Sequence, residues 1–161
     1  MSNGLGLVPL WRRGEVVAYA LVDDVDLDRV GALRWYLTPH GYAKAWRGRR
    51  GVYMHRMVLS ATGLYVDHIN GNKLDNRRTN LRLVTPAQNN QNLHRRPGRS
   101  RFIGVSWHAP SGLWHVRFRV EGKERSFGYF RDEESAGRVA MRERARYLPL
   151  SVEARTYREA A

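Results

Sequence analysis

The chain contains no cysteine in 161 residues. That excludes disulfides and thiolate metal sites, and a reducing interior is the natural setting. There is no long apolar run and no signal peptide, so the sequence reads as soluble and cytoplasmic. Lysine is scarce, with three residues against twenty-five arginines. A GC-rich genome accounts for arginine over lysine, but not for basic over acidic. Net charge is +13, from 28 basic and 15 acidic residues. Such an excess implies a polyanionic partner. Acids are rarest in the middle: from His40 to Arg101 stand thirteen Arg or Lys against two acids, Asp67 and Asp75. That third of the chain is expected to face phosphates.

The length suits one domain or two small ones, and five Trp and eight Tyr supply large anchors for small cores. Residues 1–52 read as a β-rich segment. "EVVAYALV" is a strand. "DDVDLDRV" starts a short helix on carboxylates that suit its positive end. "RWYLTPHGYAKAW" is a hairpin around Pro39 and Gly41. The Trp and Tyr residues here read as core. "YMHRMVLSA" has helical spacing. "YVDHI" and "LRLVT" are strands separated by a structured polar loop. Thr85-Pro86-Ala87-Gln88 marks a helix start, with Thr85 as N-cap and a helix from Pro86 to about Leu93. This strand–loop–strand–helix unit occupies residues 53–96. A basic linker, "HRRPGRSR", leads to residues 97–148, where three strands precede an amphipathic helix capped by Asp132. Residues 149–161 are charged and expected to fray. The fold class is α+β.

The stretch "VDHINGNKLDNRRTNLRLVTPAQNNQN" holds seven Asn around one Asp-His pair. Asn70, Asn72, Asn76 and Asn90 suit side-chain turns. Asp67 and His68 are strand neighbours, so their side chains point to opposite faces. A hairpin packed on the following helix brings Asp67 towards Asn89. Their hard oxygens suit Mg²⁺, which keeps waters and takes phosphate oxygens as further ligands. Mn²⁺ is an alternative. His68 then serves as general base, with an intrinsic pKa near neutrality. Zinc is disfavoured: without Cys, and with His68 and His94 far apart, no four-ligand spacing emerges.

Residues 55–92, with "DHINGNKLDNRRTNL", resemble the HNH motif of the ββα-metal endonucleases, most closely those of phage and intron homing type. The resemblance implies a ββα-metal nuclease unit. It implies Asp67 and Asn89 as ligands of one divalent ion, His68 as the base, and Asn80 as the residue that accepts a hydrogen bond from the ring and orients it. The implied reaction is hydrolysis of a phosphodiester to a 5′-phosphate and a 3′-hydroxyl. Arg77, Arg78 and Arg82 are candidates for flanking phosphates. His55, in "MHRMVL", takes a supporting role behind the site.

Residues 101–148 resemble the AP2 DNA-binding domain in "FIGVSWH", "LWHVRFRV" and "FGYF". Alternation gives an independent argument. Trp114, Val116, Phe118 and Val120 fall on one face, under a helix through Ala136, Val139 and Ala140. His115, Arg117 and Arg119 fall on the other, where a strand can meet the major groove. Arg101 and Arg125 extend that surface, and Arg95 and Arg96 of the linker add phosphate contacts. Ser106, His108 and Ser126 stand where the family has Arg or Trp, so base preferences do not transfer. A solvated basic face is the bland reading.

The expectation is a metal-dependent endonuclease acting on double-stranded DNA as a monomer or homodimer. The competing reading is a DNA-binding regulator with an inactive centre. RNA binding explains the charge but gives no reason for the Asp-His-Asn set.

Overall fold

The computed structural model describes residues 4–92 and 100–159. The chain forms two compact units, Met1–Pro86 and Ala87–Ala161. Its architecture is α+β, with small sheets and few helices.

The first unit begins with a five-stranded sheet in the order β2-β1-β3-β4-β5. β1 (Leu5–Arg12) and β2 (Glu15–Asp23) form a hairpin. Arg13 and Gly14 connect them with φ of 50° and 91°, the left-handed pair that suits the twist of a two-residue turn. β3 (Trp35–Leu37) joins β1 in parallel. β4 (Ala43–Arg47) and β5 (Arg50–Tyr53) continue antiparallel. Two short helices, α1 (Asp24–Gly31) and α2 (Met54–Val58), pack with the sheet. The core is Val8, Leu10, Ala20, Val22, Val30, Trp35, Ala45, Met54, Val58 and Leu81. Each of its buried Val, Leu and Met side chains contributes about 1.5–3 kcal/mol. Trp35 also donates its Nε1–H to the Val30 carbonyl at 2.7 Å, so its one polar atom is satisfied.

The expectation that the aromatics of this segment are core holds for Trp35 alone among its clearest cases. Trp46 is 57% exposed, and Tyr19 and Tyr36 lie open too. The reason is the strand period: Trp35 and Trp46 are on opposite faces because Trp35 pairs with Ala45.

β6 (Tyr65–His68) and β7 (Leu81–Val84) form a separate antiparallel ribbon. The loop between them ends in a 3₁₀ turn at Arg78–Asn80. β2 holds this loop. Leu21 donates its N–H to the Leu74 carbonyl and accepts from the Asn76 N–H, both at 2.8 Å. α3 is short, Pro86–Asn89, and stops before the expected end at Leu93, which lies outside the described residues.

The second unit contains an antiparallel sheet, β10-β9-β8. Its strands are β8 (Val105–His108), β9 (Leu113–Val120) and β10 (Lys123–Phe130). Glu121 and Gly122 make the β9–β10 turn with φ of 51° and 79°. α4 (Glu133–Tyr147) follows, and Asp132 caps it by accepting from the Ser135 N–H at 2.7 Å. Val105, Val116, Ala136 and Ala140 form the core under the helix, with Phe102, Trp114 and Phe118 packed against it. The segment expected to fray instead carries α5 (Val152–Glu159). Ser151, Glu153 and Ala154 are buried there, and Glu153 meets the buried Arg144 of α4 at 3.0 Å. No helix among the described residues is long and apolar enough to cross a membrane.

Candidate active site

The loop from Ile69 to Asn80 is held by its own amides. The Asn72 N–H donates to Asn70 Oδ1 at 2.8 Å, and the Leu74 N–H donates to Asn72 Oδ1 at 3.1 Å. These are local side-chain turns of the kind Asn favours. Asn70 Nδ2 donates to Asp75 Oδ2 at 2.9 Å. Asn80 spans the loop: its Oδ1 accepts from the Asn70 N–H at 2.9 Å and its Nδ2 donates to the Asp75 carbonyl at 2.8 Å. The backbone adds Ile69 N–H to the Asn80 carbonyl at 2.8 Å.

This corrects the role expected of Asn80. Both ends of its amide are used on the loop backbone. The amide that faces the His68 ring is Asn76, whose Oδ1 stands 3.4 Å from Nε2. An Nε2–H donated to that oxygen leaves Nδ1 as the ring's acceptor. Asn76 is buried, and its Nδ2 donates to the Leu74 carbonyl at 3.2 Å. The reading from sequence missed Asn76 as a ring partner. It sits eight residues after His68 in a loop whose path strand periodicity does not give.

Asp67 and His68 end β6, and both are buried. Burial pulls the His68 pKa below 6.5. Asn76, Asp67 and Asp75 oppose that shift. The ring is therefore neutral at neutral pH, as a base must be. His55 lies behind it, with ring centroids 5.1 Å apart. Tyr42 completes the surround, 5.3 Å from His55 and 6.0 Å from His68. Tyr53 stacks on His55 at 5.5 Å. No local pattern of residues points to the two tyrosines as neighbours of the base. Burial, with His68 and Arg56 adding repulsion, lowers the His55 pKa to about 3. Its buried Nδ1 has no hydrogen-bond partner among the described residues.

Three arginines expected at flanking phosphates are instead paired within the unit. Arg82 places Nε and Nη2 at 2.8 and 2.6 Å from Asp67 Oδ2. Arg77 grips Asp75 at 2.7 and 2.6 Å. Arg78 grips the buried Asp26 of α1 at 2.7 and 2.8 Å, and its N–H donates to Asp23 Oδ2 at 2.7 Å. The physical reason is that buried carboxylates need partners, and these guanidiniums are the nearest cations. The Arg78 pair fixes the loop to α1, the Arg77 pair closes the loop on itself, and the Arg82 pair ties β7 to β6.

A divalent cation is the group this arrangement suits. Among the described residues no three His, Cys, Asp or Glu form a metal-holding cluster. The described residues alone therefore build no protein cage of the zinc kind. A buried carboxylate beside an imidazole suits a hard divalent ion that takes one or two protein oxygens and fills its sphere with water and phosphate. Asp67 lies in the first unit. Asn89 ends α3 and falls in the second.

In the second unit, His115, Arg117 and Arg119 lie on the face of β9 opposite Val116 and Val120, as alternation requires. His115 stacks on Tyr129 at 4.2 Å and meets Ser126 Oγ at 2.8 Å through Nε2. Arg117 pairs with Glu124 at 3.1 Å. Arg125 is not on this face. It stands opposite Phe118 in the register, and its guanidinium lies 5.4 Å over the Tyr147 ring of α4. Arg101 is drawn to the start of α4, where it pairs with Glu134 and its N–H donates to Glu133 Oε1 at 2.7 Å. Arg95 and Arg96 lie outside the described residues.

Residues 52–91 match the HNH endonuclease family. Protein 3.8 of Escherichia phage T7 is 30% identical over 95 residues, covering 58% of this chain and 73% of that protein. An uncharacterized HNH endonuclease of Acanthamoeba polyphaga mimivirus is 37% identical over 78 residues, covering 42% of this chain. The chain spans 41% of the length of that mimivirus protein. No solved structure matches the chain. The chain belongs to the same family as T7 Protein 3.8, and it carries an HNH endonuclease domain.

Proposed function

We propose that the protein is a divalent-metal-dependent DNA endonuclease that hydrolyses phosphodiester bonds to 5′-phosphate and 3′-hydroxyl ends. The observation that carries this reading is the buried His68 next to Asp67, on a strand end whose loop is fixed by Asn70, Asn76 and Asn80. His68 takes the proton of the attacking water. Asn76 orients the ring. Asp67 would give an oxygen ligand to the ion, Mg²⁺ first and Mn²⁺ second. When bound, the ion stabilises charge on the scissile phosphate and on the departing oxygen. His55 and Tyr42 wall the ring and keep water from its flank, which favours the uncharged base. The sheet of the second unit, with His115, Arg117 and Arg119, is an AP2-like module that holds duplex DNA. One such centre per chain cuts one strand, so double-strand cutting requires a homodimer or a second event.

Cleavage of supercoiled plasmid, with and without Mg²⁺, tests the reading. Wild type is expected to nick or linearise it, and His68→Ala to lose at least a hundredfold in rate. A wild type that leaves plasmid intact across metals and salts removes the nuclease assignment.

A second reading has one observation in its favour. Asp67 already has a guanidinium as counter-cation. In a DNA-binding regulator with an inactive centre, that ion pair takes the place of the metal. Calorimetric titration of Mg²⁺ in the presence of DNA separates the two: no metal uptake supports the regulator.

A further inference from the structure

The charge of the first unit is unevenly committed. Residues 29–66 contain seven cations and no acid: Arg29, Arg34, Lys44, Arg47, Arg49, Arg50 and Arg56. Among the described residues none of the seven forms an ion pair, whereas Arg77, Arg78 and Arg82 all do. Arg29 and Arg56 are on α1 and α2, Arg34 directly precedes β3, and the other four stand on the β4–β5 hairpin.

The register shows what surrounds those cations. Trp11 stands opposite Tyr36, Tyr36 opposite Lys44, and Lys44 opposite Tyr53. Cross-strand partners point the same way, so these four make one row across four strands. The adjacent row, Leu10, Trp35 and Ala45, is at most 1% exposed and faces the core. The Trp11 row therefore faces away from it. Trp46, two residues along β4 from Lys44, shares the face at 57% exposure, and Tyr36 is 40% exposed. Cations lie on the rings. The Arg34 guanidinium is 4.2 Å over Trp11, and Lys44 Nζ is 4.7 Å from Trp46 and 5.7 Å from Tyr53. Gly51, opposite Trp46, leaves room for the lysine stem: a Cβ there would come within 2.6 Å of Lys44 Cε. Tyr53 in turn is 5.9 Å from Tyr42, the ring that meets His68. Aromatic and cationic groups thus alternate from the hairpin tip to the candidate base.

The dimensions select the ligand. Five strands at about 4.8 Å spacing make a surface roughly 20 Å wide. A B-form major groove is only about 12 Å wide, so the middle of this sheet does not reach duplex base edges. Unpaired bases are different. Their faces stack on exposed rings, while cations hold the phosphates between. A second copy of this chain is a poor occupant, because a twofold contact would set the same cations against each other.

We propose that this sheet face binds an unpaired DNA strand: Trp46 and Tyr36 stack bases, Arg34, Lys44 and, in the hairpin turn, Arg49 hold phosphates, and the strand runs towards His68. The proposal rests on the nuclease reading only for that last placement. Binding itself is measured without cleavage, in full-length protein carrying His68→Ala, so failure of the nuclease reading leaves the measurement intact.

The probe is fluorescence anisotropy of one labelled oligonucleotide, single-stranded and as its duplex. Adding Trp46→Ala and Tyr36→Ala together is expected to weaken single-strand binding at least tenfold and to change duplex binding less than twofold. Trp46→Phe with Tyr36→Phe keeps the rings and is expected to stay within about threefold of the parent, which separates stacking from folding. Replacing Arg34, Lys44 and Arg49 with Ala should reduce the slope of log affinity against log salt by about 2, since each phosphate contact contributes about 0.7 on a single strand. Unchanged single-strand affinity in the double Ala variant overturns the proposal. So does an equal loss on duplex, or a variant that turns a dimer into a monomer in sedimentation.

Discussion

Arg82 stands directly opposite Asp67 across the β6–β7 ribbon and puts two guanidinium hydrogens on one carboxylate oxygen, Oδ2. The pair is mostly shielded, with side-chain exposures of 18% and 10%. Removing one partner of such a pair leaves a charge without compensation, at a cost of about 3 kcal/mol. Arg82→Met is therefore expected to lower the melting temperature in EDTA. If Asp67 is a metal ligand, Mg²⁺ becomes its replacement cation and restores more stability to the variant than it adds to wild type. Melting curves with EDTA and with Mg²⁺ read the difference. Equal metal responses in the two proteins count against Asp67 in the metal site.

The two buried asparagines of the loop separate by role. Asn80 bonds only loop backbone, so Asn80→Ala is expected to cost about 1–3 kcal/mol of stability, seen as a lower urea midpoint. Asn76 accepts at the His68 ring, and this contact raises the His68 pKa against burial. Asn76→Ala should then lower kcat and move the acid limb of its pH profile to lower pH. An acid limb that stays in place removes Asn76 from the ring's support.

Why Asn76 and not Asn80 was hidden follows from what sequence patterns encode. The strands around Asp67 and Leu83 were legible from alternation, and the loop's amides from their turn chemistry. The helix α4, its Asp132 cap and the faces of β9 were legible for the same local reasons. Partners distant in sequence were not. Arg78 and Asp26 are 52 residues apart, and no local pattern links them. Arg125 is an instructive case. A two-residue turn at Glu121-Gly122 sets Val120 opposite Lys123 and Phe118 opposite Arg125. Applying that register would have put Arg125 on the helix face. Trp46 yields to the same count, since it is odd against Trp35 once their strands pair. The metal-site reading spanned both units, and neither alternation nor turn chemistry specifies that geometry.

Acid is expected to destabilise the first unit. Burial holds the His55 pKa at about 3 and lowers that of His68. In the unfolded chain each titrates near 6.5. Above that pH both states are neutral and the full stability is present. Below it the unfolded chain takes up protons that the folded chain refuses, so stability falls as pH drops towards 3, by up to about 1.4 kcal/mol per pH unit for His55. Asp75 acts in the same direction. Arg77 lowers its pKa, and its contribution is lost as pH falls through the folded value. Melting temperatures from pH 8 to pH 4 should decline below about 6.5, and His55→Gln should flatten the decline. A profile that is level between pH 7 and pH 5 contradicts this account of the buried imidazoles.

The end of the chain makes the last test. Arg144 is 2% exposed, so its guanidinium is held in a dry environment. There Nε donates to Glu153 Oε1 at 3.0 Å and Nη2 to the Gln91 carbonyl at 3.3 Å. Gln91 Oε1 in turn accepts from the Leu150 N–H at 3.2 Å. One arginine therefore connects α4, α5 and the segment after α3. Glu153→Ala leaves that arginine without its counter-charge and should cost about 3–5 kcal/mol. Replacing both, as Arg144→Met with Glu153→Leu, removes the charge problem and should recover most of the loss. Because His115, Arg117 and Arg119 are on the opposite side of the sheet from α4, the double variant should keep its duplex affinity. If Glu153→Ala unfolds at the wild-type denaturant midpoint, α5 contributes nothing to this core, and the original expectation of a frayed tail is restored.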